Sequence, residues 1–381
     1  MGATPQQRPE IESIWIAQPG DHSNCYSDAG GEFSMIATGR REIGPYLNKD
    51  AYGLAKAFME GEIEVRGDLI AAVRNVMRER QGGIRGYLFP LGAQMMRLGQ
   101  QVHASREQAK KNIQFHYDRS NEFYAQFLDR RMVYSEAYFE DPSDSLEQAQ
   151  VQKLDQICRD LVLRPDERLL DVGCGWGGLL CHAAERFGTK AYGCTLSKEQ
   201  VSFVERRIRR EGLEGRVTAE LRDYRDLTGE FDKIASIGMC EHVGRRRLGE
   251  YFRKMYALLR PGGLFVNRGI VVPRGSRKGA DSLFIEKHVF PGGELVHLDE
   301  VVREGERAGF GVTGCRDERT HYGLTCRRWV ENLQRNREAC RALAGDVCYR
   351  TWLLYLAGSA ANFEDGALGA SQVLFVKPRR T

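Results

Sequence analysis

Leu170-Asp171-Val172-Gly173-Cys174-Gly175-Trp176-Gly177-Gly178 decides how the rest of the chain is read. The apolar run that ends in this stretch, Arg168–Val172, reads as a strand, and Gly178–Phe187 has the spacing of a helix. Between them Gly173, Gly175 and Gly177 permit a tight turn and let a ligand approach bare backbone. A G-x-G-x-x-G match alone is weak. Here the spacing is G-x-G-x-G-G, after a strand that ends in Asp-Val-Gly. That form suits a small cationic nucleoside better than a pyrophosphate. A dinucleotide site is the alternative.

Outward from the loop, 190–194, 217–221, 232–237 and 264–267 read as further strands, and 146–161, 197–210 and 248–259 as helices. Strand–helix alternation at this spacing predicts a mostly parallel, doubly wound sheet. Segments 312–315 and 372–376 supply its last two strands. The second strand of the alternation ends in Thr195, Ser197 and Gln200, polar groups placed for ribose hydroxyls. After the third come Asp223, Tyr224 and Arg225: an aromatic to stack on adenine, with polar neighbours to read its amine. Pro261-Gly262-Gly263 reads as the turn before the fifth strand. In this order, with Asp171 and the glycines, they predict an S-adenosylmethionine site.

Residues 34–80 read as a small α/β unit. In it Ile63-Glu64-Val65 alternates like a strand, Asp68 caps a helix over 69–79, and Gln81-Gly82-Gly83 ends that helix. The basic, amphipathic stretch 91–112 reads as a helical connector. The expected division is a small N-terminal domain with its connector over 1–110, and a catalytic domain over 111–381. The 381 residues carry a net charge of only +4, which gives no reason to expect nucleic acid as a partner. Ten cysteines show no pairing at zinc-ligand spacing, so no metal site is expected and they read as small, reduced, buried residues. The polar N-terminus has no signal-peptide core, and no run reaches roughly eighteen apolar residues. The expectation is a cytoplasmic protein that meets any lipid at the inner membrane surface.

His116-Tyr117-Asp118, Val133-Tyr134-Ser135-Glu136, Leu146-Glu147-Gln148-Ala149-Gln150, Thr195-Leu196-Ser197-Lys198-Glu199-Gln200, Glu241-His242-Val243-Gly244 and Phe290-Pro291-Gly292-Gly293 form a specific set. Through them the region from about 112 to 377 resembles the cyclopropane-fatty-acyl-phospholipid synthase family, which includes the mycolic acid cyclopropane synthases. The resemblance implies an α/β fold: a class I methyltransferase, Rossmann-like doubly wound sheet with a small N-terminal α/β domain and helical insertions. It implies transfer of the sulfonium methyl to the cis double bond of an unsaturated phospholipid acyl chain, with a cyclopropane as product. Homodimerisation is left open. Family members hold a bicarbonate ion beside the cofactor as base. By position, Glu241, the main chain of Ile270 and Tyr322 match holders of that ion. Tyr134, Ser135, Gly173, Gly175, Thr195, Gln200, Tyr224 and Ile237 match cofactor contacts.

Two positions depart from the family pattern: Glu136 replaces its bicarbonate-holding cysteine, and Arg268 its histidine. One reading is drift in a site that lost its job. The other is a linked exchange. The carboxylate takes the place of bicarbonate as base, and the guanidinium holds it by a charge-assisted, bidentate bond. Such a neighbour makes a carboxylate a weaker base, but a carbocation is acidic enough for a weak base to suffice. On this reading bicarbonate is doubtful, and Glu136, Glu241, Arg268 and Tyr322 form the catalytic set. Proton loss elsewhere on the cation gives a methylene or methyl-branched product without a ring. A small-molecule N- or C-methyltransferase is the remaining alternative. Tyr117, Phe123, Tyr138 and Tyr322 offer aromatic faces to a cation; all but Tyr322 read equally well as core.

Overall fold

The computed structural model describes residues 25–28, 30–39, 41–81, 120–274, 281–290 and 293–379. The expected connector over 91–112 and the His116-Tyr117-Asp118 motif lie outside them. The N-terminal unit is an antiparallel sheet in the order β1-β2-β3 (Cys25–Ser27, Phe33–Ala37, Ile63–Gly67), packed with α1 (Ala51–Met59) and α2 (Leu69–Gln81). Asp68 starts α2 as expected: its Oδ1 accepts from Ile70 N at 2.8 Å and Ala71 N at 3.1 Å.

The remainder is built on a 7-stranded sheet. In chain order its elements are α3 (Leu146–Asp160), β4 (Arg168–Val172), α4 (Gly178–Phe187), β5 (Lys190–Thr195), α5 (Lys198–Glu211), β6 (Val217–Leu221) and β7 (Phe231–Ile237). Then come α6 (Cys240–Val243), α7 (Leu248–Leu258), β8 (Leu259–Val271), α8 (Leu298–Arg307), β9 (Gly311–Asp317), α9 (Arg319–Arg335), α10 (Asp346–Glu364) and β10 (Gly369–Val376). The strand order is β6-β5-β4-β7-β8-β10-β9; the first five are parallel, and β10 runs antiparallel to both its neighbours. The order reverses direction between β4 and β7, where open α/β sheets place their ligands.

Local chemistry explains the element ends. Ser145 and Gln148 form a capping box at α3, and left-handed Gly188 and Gly212 end α4 and α5. One expectation needs correcting. β8 begins at Leu259, before Pro261-Gly262-Gly263, and reaches Val271, well beyond 264–267. The register to β7 steps from Phe231↔Leu259 to Lys233↔Leu264, so the Pro-Gly-Gly turn is a bulge within the strand. The far end is long because β10 pairs with β8 through Val271.

Both sheet faces are covered. Tyr251, Phe252 and Met255 of α7 pack with Phe265, Phe310 and Phe375 on one face; Leu154, Ile157, Leu179 and Ala183 pack with Ala235 and Val266 on the other. A third cluster joins Phe33, Leu54 and Ile70 of the N-terminal unit to Tyr124, Phe127, Trp352 and Leu356, so the small unit shares one core with α10.

Candidate active site

The carboxyl ends of β4, β5, β6 and β7 open into a cleft enclosing about 1240 Å³ of atom-free space, its mouth included. β4 delivers Asp171, which is buried, and the chain then turns through left-handed Gly173, Gly175 and Gly177. A Cβ at Gly173 would stand 2.7 Å from the Met239 side chain, whereas at Gly175 it would meet nothing within 4 Å. The backbone at Gly175 is therefore bare toward open space. At the end of β5, Thr195 Oγ1 donates to Gln200 Oε1 at 2.6 Å. Beyond β6, Asp223 accepts from Arg225 Nε at 2.8 Å. The Tyr224 ring meets Tyr251 edge-on, 5.6 Å between centroids, and burial pushes its hydroxyl up to about 12.

Tyr134, Ser135, Asp171, Gly173, Gly175, Thr195, Gln200, Asp223, Tyr224, Arg225 and Ile237 all line this cleft. Two expected cofactor residues do not. Ser197 is fully buried and caps α5, its Oγ accepting from Gln200 N at 3.3 Å. Gly177 is the N-cap of α4, and a Cβ there would meet Val204 at 3.0 Å, so its glycine serves the turn and the packing of α5. Both residues shape the site from behind.

Sequence reasoning missed Lys153. It lines the cleft from α3, almost wholly buried, and its ammonium donates to Ser135 Oγ at 2.7 Å. Burial pushes it down to about 8 and pushes the Asp171 carboxyl up to about 7, with Lys153 opposing. The signal was available: Lys153 lies one helical turn after Gln150, whose Nε2 donates to the Ser135 carbonyl at 2.9 Å. The Leu146–Gln150 motif thus marks the helix face that holds the 133–136 loop.

Behind the cleft lies a buried charged cluster. Ser135 faces the cleft, while the next residue, Glu136, faces Arg268. Arg268 pairs in register with the cleft residue Ile237 across β7 and β8. Arg268 is fully buried and Glu136 is 1% exposed. Arg268 Nε donates to Glu136 Oε1, the pairing that the exchange at these positions predicts. The bond is not bidentate, because the guanidinium is shared. Its Nη2 lies 3.0 Å from Glu318 Oε2, and Nη1 donates to Gln156 Oε1 at 3.3 Å and Gln372 Oε1 at 3.5 Å. Glu318, Gln156 and Gln372 were not among the expected residues.

Glu241 Oε1 accepts from Ile270 N at 2.7 Å, so two expected anion holders bind each other. Glu241 Oε2 is buried with no hydrogen-bond partner among the described residues. Burial pushes this carboxyl up to about 7, and Glu136 adds to the shift. Tyr322 stacks on Phe363 at 4.3 Å, and its hydroxyl is pushed upward by burial first, then by Glu136. Of the other aromatic candidates, Phe123 is fully buried against Phe127 and Trp352, and Tyr138 packs on His321 at 4.5 Å. Tyr117 lies outside the described residues. His242 lines the cleft, and burial pushes it down to about 4.

A sheet of this order, with glycine turns at its switch point, defines a class I methyltransferase fold. The cleft fits S-adenosylmethionine: bare backbone at Gly175, neutral hydrogen-bonding groups after β5, and a carboxylate and aromatic after β6. The model of the mycolic acid cyclopropane synthetase family matches residues 104–373. A probable fatty acid methyltransferase of Pseudomonas putida is 41% identical over 342 residues, covering 88% of this chain and 85% of that protein. The probable fatty acid methyltransferase Rv3720 of Mycobacterium tuberculosis is 37% identical over 278 residues, covering 72% of this chain and 64% of that protein. Among solved structures, the mycolic acid cyclopropane synthase CmaA1 complexed with S-adenosylhomocysteine and CTAB superposes with a TM-score of 0.67 at 32% identity, covering 70% of this chain and 97% of that one. The chain belongs to the mycolic acid cyclopropane synthetase family and is an S-adenosylmethionine-dependent methyltransferase.

Proposed function

We propose that this enzyme methylates the cis double bond of an unsaturated phospholipid acyl chain, and that Glu136 accepts the proton that must then leave. The carrying observation is the buried Glu136–Arg268 pair, standing where the family resemblance puts the holders of bicarbonate. An acyl substrate is supported by relatives named as fatty acid methyltransferases and by CTAB, a long-chain amphiphile, in the CmaA1 complex. Among the described residues no helix is long and apolar enough to cross a membrane, which suits access from the membrane surface.

When bound, S-adenosylmethionine would supply an electrophilic methyl group, its S–CH3 bond breaking as the alkene π pair forms the new C–C bond, with S-adenosylhomocysteine as leaving group and a cation left on the neighbouring carbon. Thr195 and Gln200 hold the ribose, and Tyr224, Asp223 and Arg225 hold the adenine. Asp171, Gly173, Gly175, Tyr134, Ser135 and Ile237 hold the amino-acid tail and sulfonium. Tyr322 and Glu241 face the cationic carbon, and the closed cluster excludes water. Glu136 then takes the proton: a C–H bond breaks, an O–H bond forms, and the freed electron pair makes a carbon–carbon bond. Loss from the added methyl closes a cyclopropane. Loss elsewhere leaves an alkene carrying the new carbon, and the exchange at 136 and 268 favours this second reading. A fixed carboxylate makes bicarbonate unnecessary.

The test is mass spectrometry of acyl chains after incubation with labelled S-adenosylmethionine and monounsaturated phospholipid vesicles. Gain of one CH2 unit supports acyl methylation, and resistance to mild hydrogenation separates a ring from an alkene. No gain, with the cofactor still bound, rejects the lipid in favour of a small-molecule acceptor.

A further inference from the structure

We infer that Glu318 is a positioning residue of the reaction, sharing the Arg268 guanidinium with Glu136 so that the buried set can take up a proton. The inference rests on the reading of Glu136 as the base. Glu318 lies at the junction of β9 and α9 and is 1% exposed. Its backbone N–H donates to Ala370 O of β10 at 2.8 Å, and its carbonyl accepts from Tyr322 N at 3.0 Å. The residue that brings a second carboxylate to Arg268 therefore also begins the helical turn that carries Tyr322.

Charge counting gives the reason. With Glu136 alone, the pair would be neutral before proton transfer. Protonation would then leave Arg268 as an unpaired, fully buried cation, the costly outcome for a buried pair. With Glu318 present, two carboxylates face the Arg268 guanidinium; Glu318 Oε1 also lies 3.6 Å from Arg316 Nε, and Arg316 is itself paired with Asp160, so the set of two arginines and three carboxylates carries one excess negative charge. Uptake of a single proton brings it to neutrality while Arg268 keeps a counter-charge, so burial favours the protonated product state. Glu136 pushes Glu318 upward in addition to the effect of burial, while Arg268 opposes.

The other charged and titratable groups around the set are Glu241 on α6, Lys153 on α3, and His321, Tyr322 and Cys326 on α9. Only Glu318 and Glu136 contact the Arg268 guanidinium as carboxylates among the described residues. The Glu318 contact is ionic and off-axis: at 3.0 Å from Nη2 it makes no aligned hydrogen bond, so Glu318 balances charge without locking the fork.

The test compares Glu318→Gln, Glu318→Asp and Glu136→Gln in the full chain. It uses S-adenosylhomocysteine titration, the pH profile of kcat on monounsaturated phosphatidylglycerol vesicles, and infrared titration of buried carboxyl bands in the ligand-free protein. For Glu318→Gln, S-adenosylhomocysteine affinity is unchanged and kcat falls by about tenfold or more. The acid limb moves about one pH unit lower, because one of two negative charges is gone. The infrared bands that vanish in Glu136→Gln titrate lower by a similar amount. Glu318→Asp, which keeps the charge, holds the limb and the bands near wild type; it serves alone if the Gln variant does not fold, and a limb displaced in it overturns the inference. An unmoved limb and unmoved bands in Glu318→Gln also overturn it, even when Glu136→Gln is inactive. Full turnover in Glu136→Gln instead rejects the base reading itself.

Discussion

The cofactor cleft and the charged cluster behind it touch at Ser135–Glu136 and at Ile237–Arg268, yet they are made differently. The cleft is largely backbone, glycine and hydrogen-bonded polar side chains at the ends of parallel strands, with the Lys153 ammonium reaching it from α3. The cluster is a guanidinium and three carboxylates, drawn from the 133–136 loop, α6, β8 and the β9–α9 junction, with almost no solvent. A cleft of the first kind tolerates change in any one polar contact, because backbone and shape carry recognition. A cluster of the second kind does not, because with so little solvent its charges can be balanced only by one another.

The largest effect expected of this difference is on chemistry. Glu136→Gln keeps its shape and its place beside Arg268 but lowers turnover by about 10²–10⁴-fold, while S-adenosylhomocysteine still binds in a calorimetric titration. Degassed, bicarbonate-free buffer leaves the wild-type rate unchanged; loss of activity there would return the site to a bicarbonate mechanism. Next in size is stability. Arg268→Leu strands the two carboxylates it holds and costs about 3–5 kcal/mol in denaturant unfolding. A cost near zero would mean that the cluster is wet, and the contrast with the cleft would collapse.

Gly175→Ala probes the other side. Its Cβ meets nothing within 4 Å, so stability falls only by the left-handed backbone cost of about 1–2 kcal/mol. S-adenosylhomocysteine affinity drops by about tenfold or more, because a methyl group occupies the ligand's approach. Equal affinity would move the cofactor away from this turn. The last expected effect is a pH slope. The Glu241 carboxyl is raised from 4.5 to about 7 in the folded protein. Its contribution to stability is therefore full below about 4.5 and is lost as pH rises through about 7. Glu241→Gln flattens that part of the stability–pH curve by about 3 kcal/mol, measured by urea unfolding across the window. An unchanged slope would assign the proton uptake to Asp171, which is raised to about 7 as well.

Legibility in the sequence followed the same division. The cleft was readable because each part is a contiguous pattern: a strand into Asp171 and its glycines, Thr195 with Gln200, Asp223 with Tyr224. The two residues set behind the lining, Ser197 and Gly177, have local roles, capping a helix and admitting a tight turn, that share their sequence signature with ligand contacts. In the cluster the exchange at 136 and 268 was visible, and so was its pairing. The division of Arg268 between Glu136 and Glu318 was not, nor was the capture of Ile270 N by Glu241. Lys153 is legible only through Gln150 one turn earlier, because a buried ammonium and a solvated one by themselves have the same sequence signature.

The alternation of strands and helices, the glycine turn at the sheet's switch point and the chemical kind of each residue near it are written along the chain. These depend on side-chain period and backbone conformation within short windows. Which charges neutralise which is set by the packing of distant elements. β10 inserts antiparallel between β8 and β9 and sets Gln372 opposite Arg268, while the β9–α9 junction brings Glu318 to the same guanidinium. Compensation of a buried charge acts through space over a few ångströms between residues as far apart in the chain as 136 and 268, and no local pattern encodes that distance.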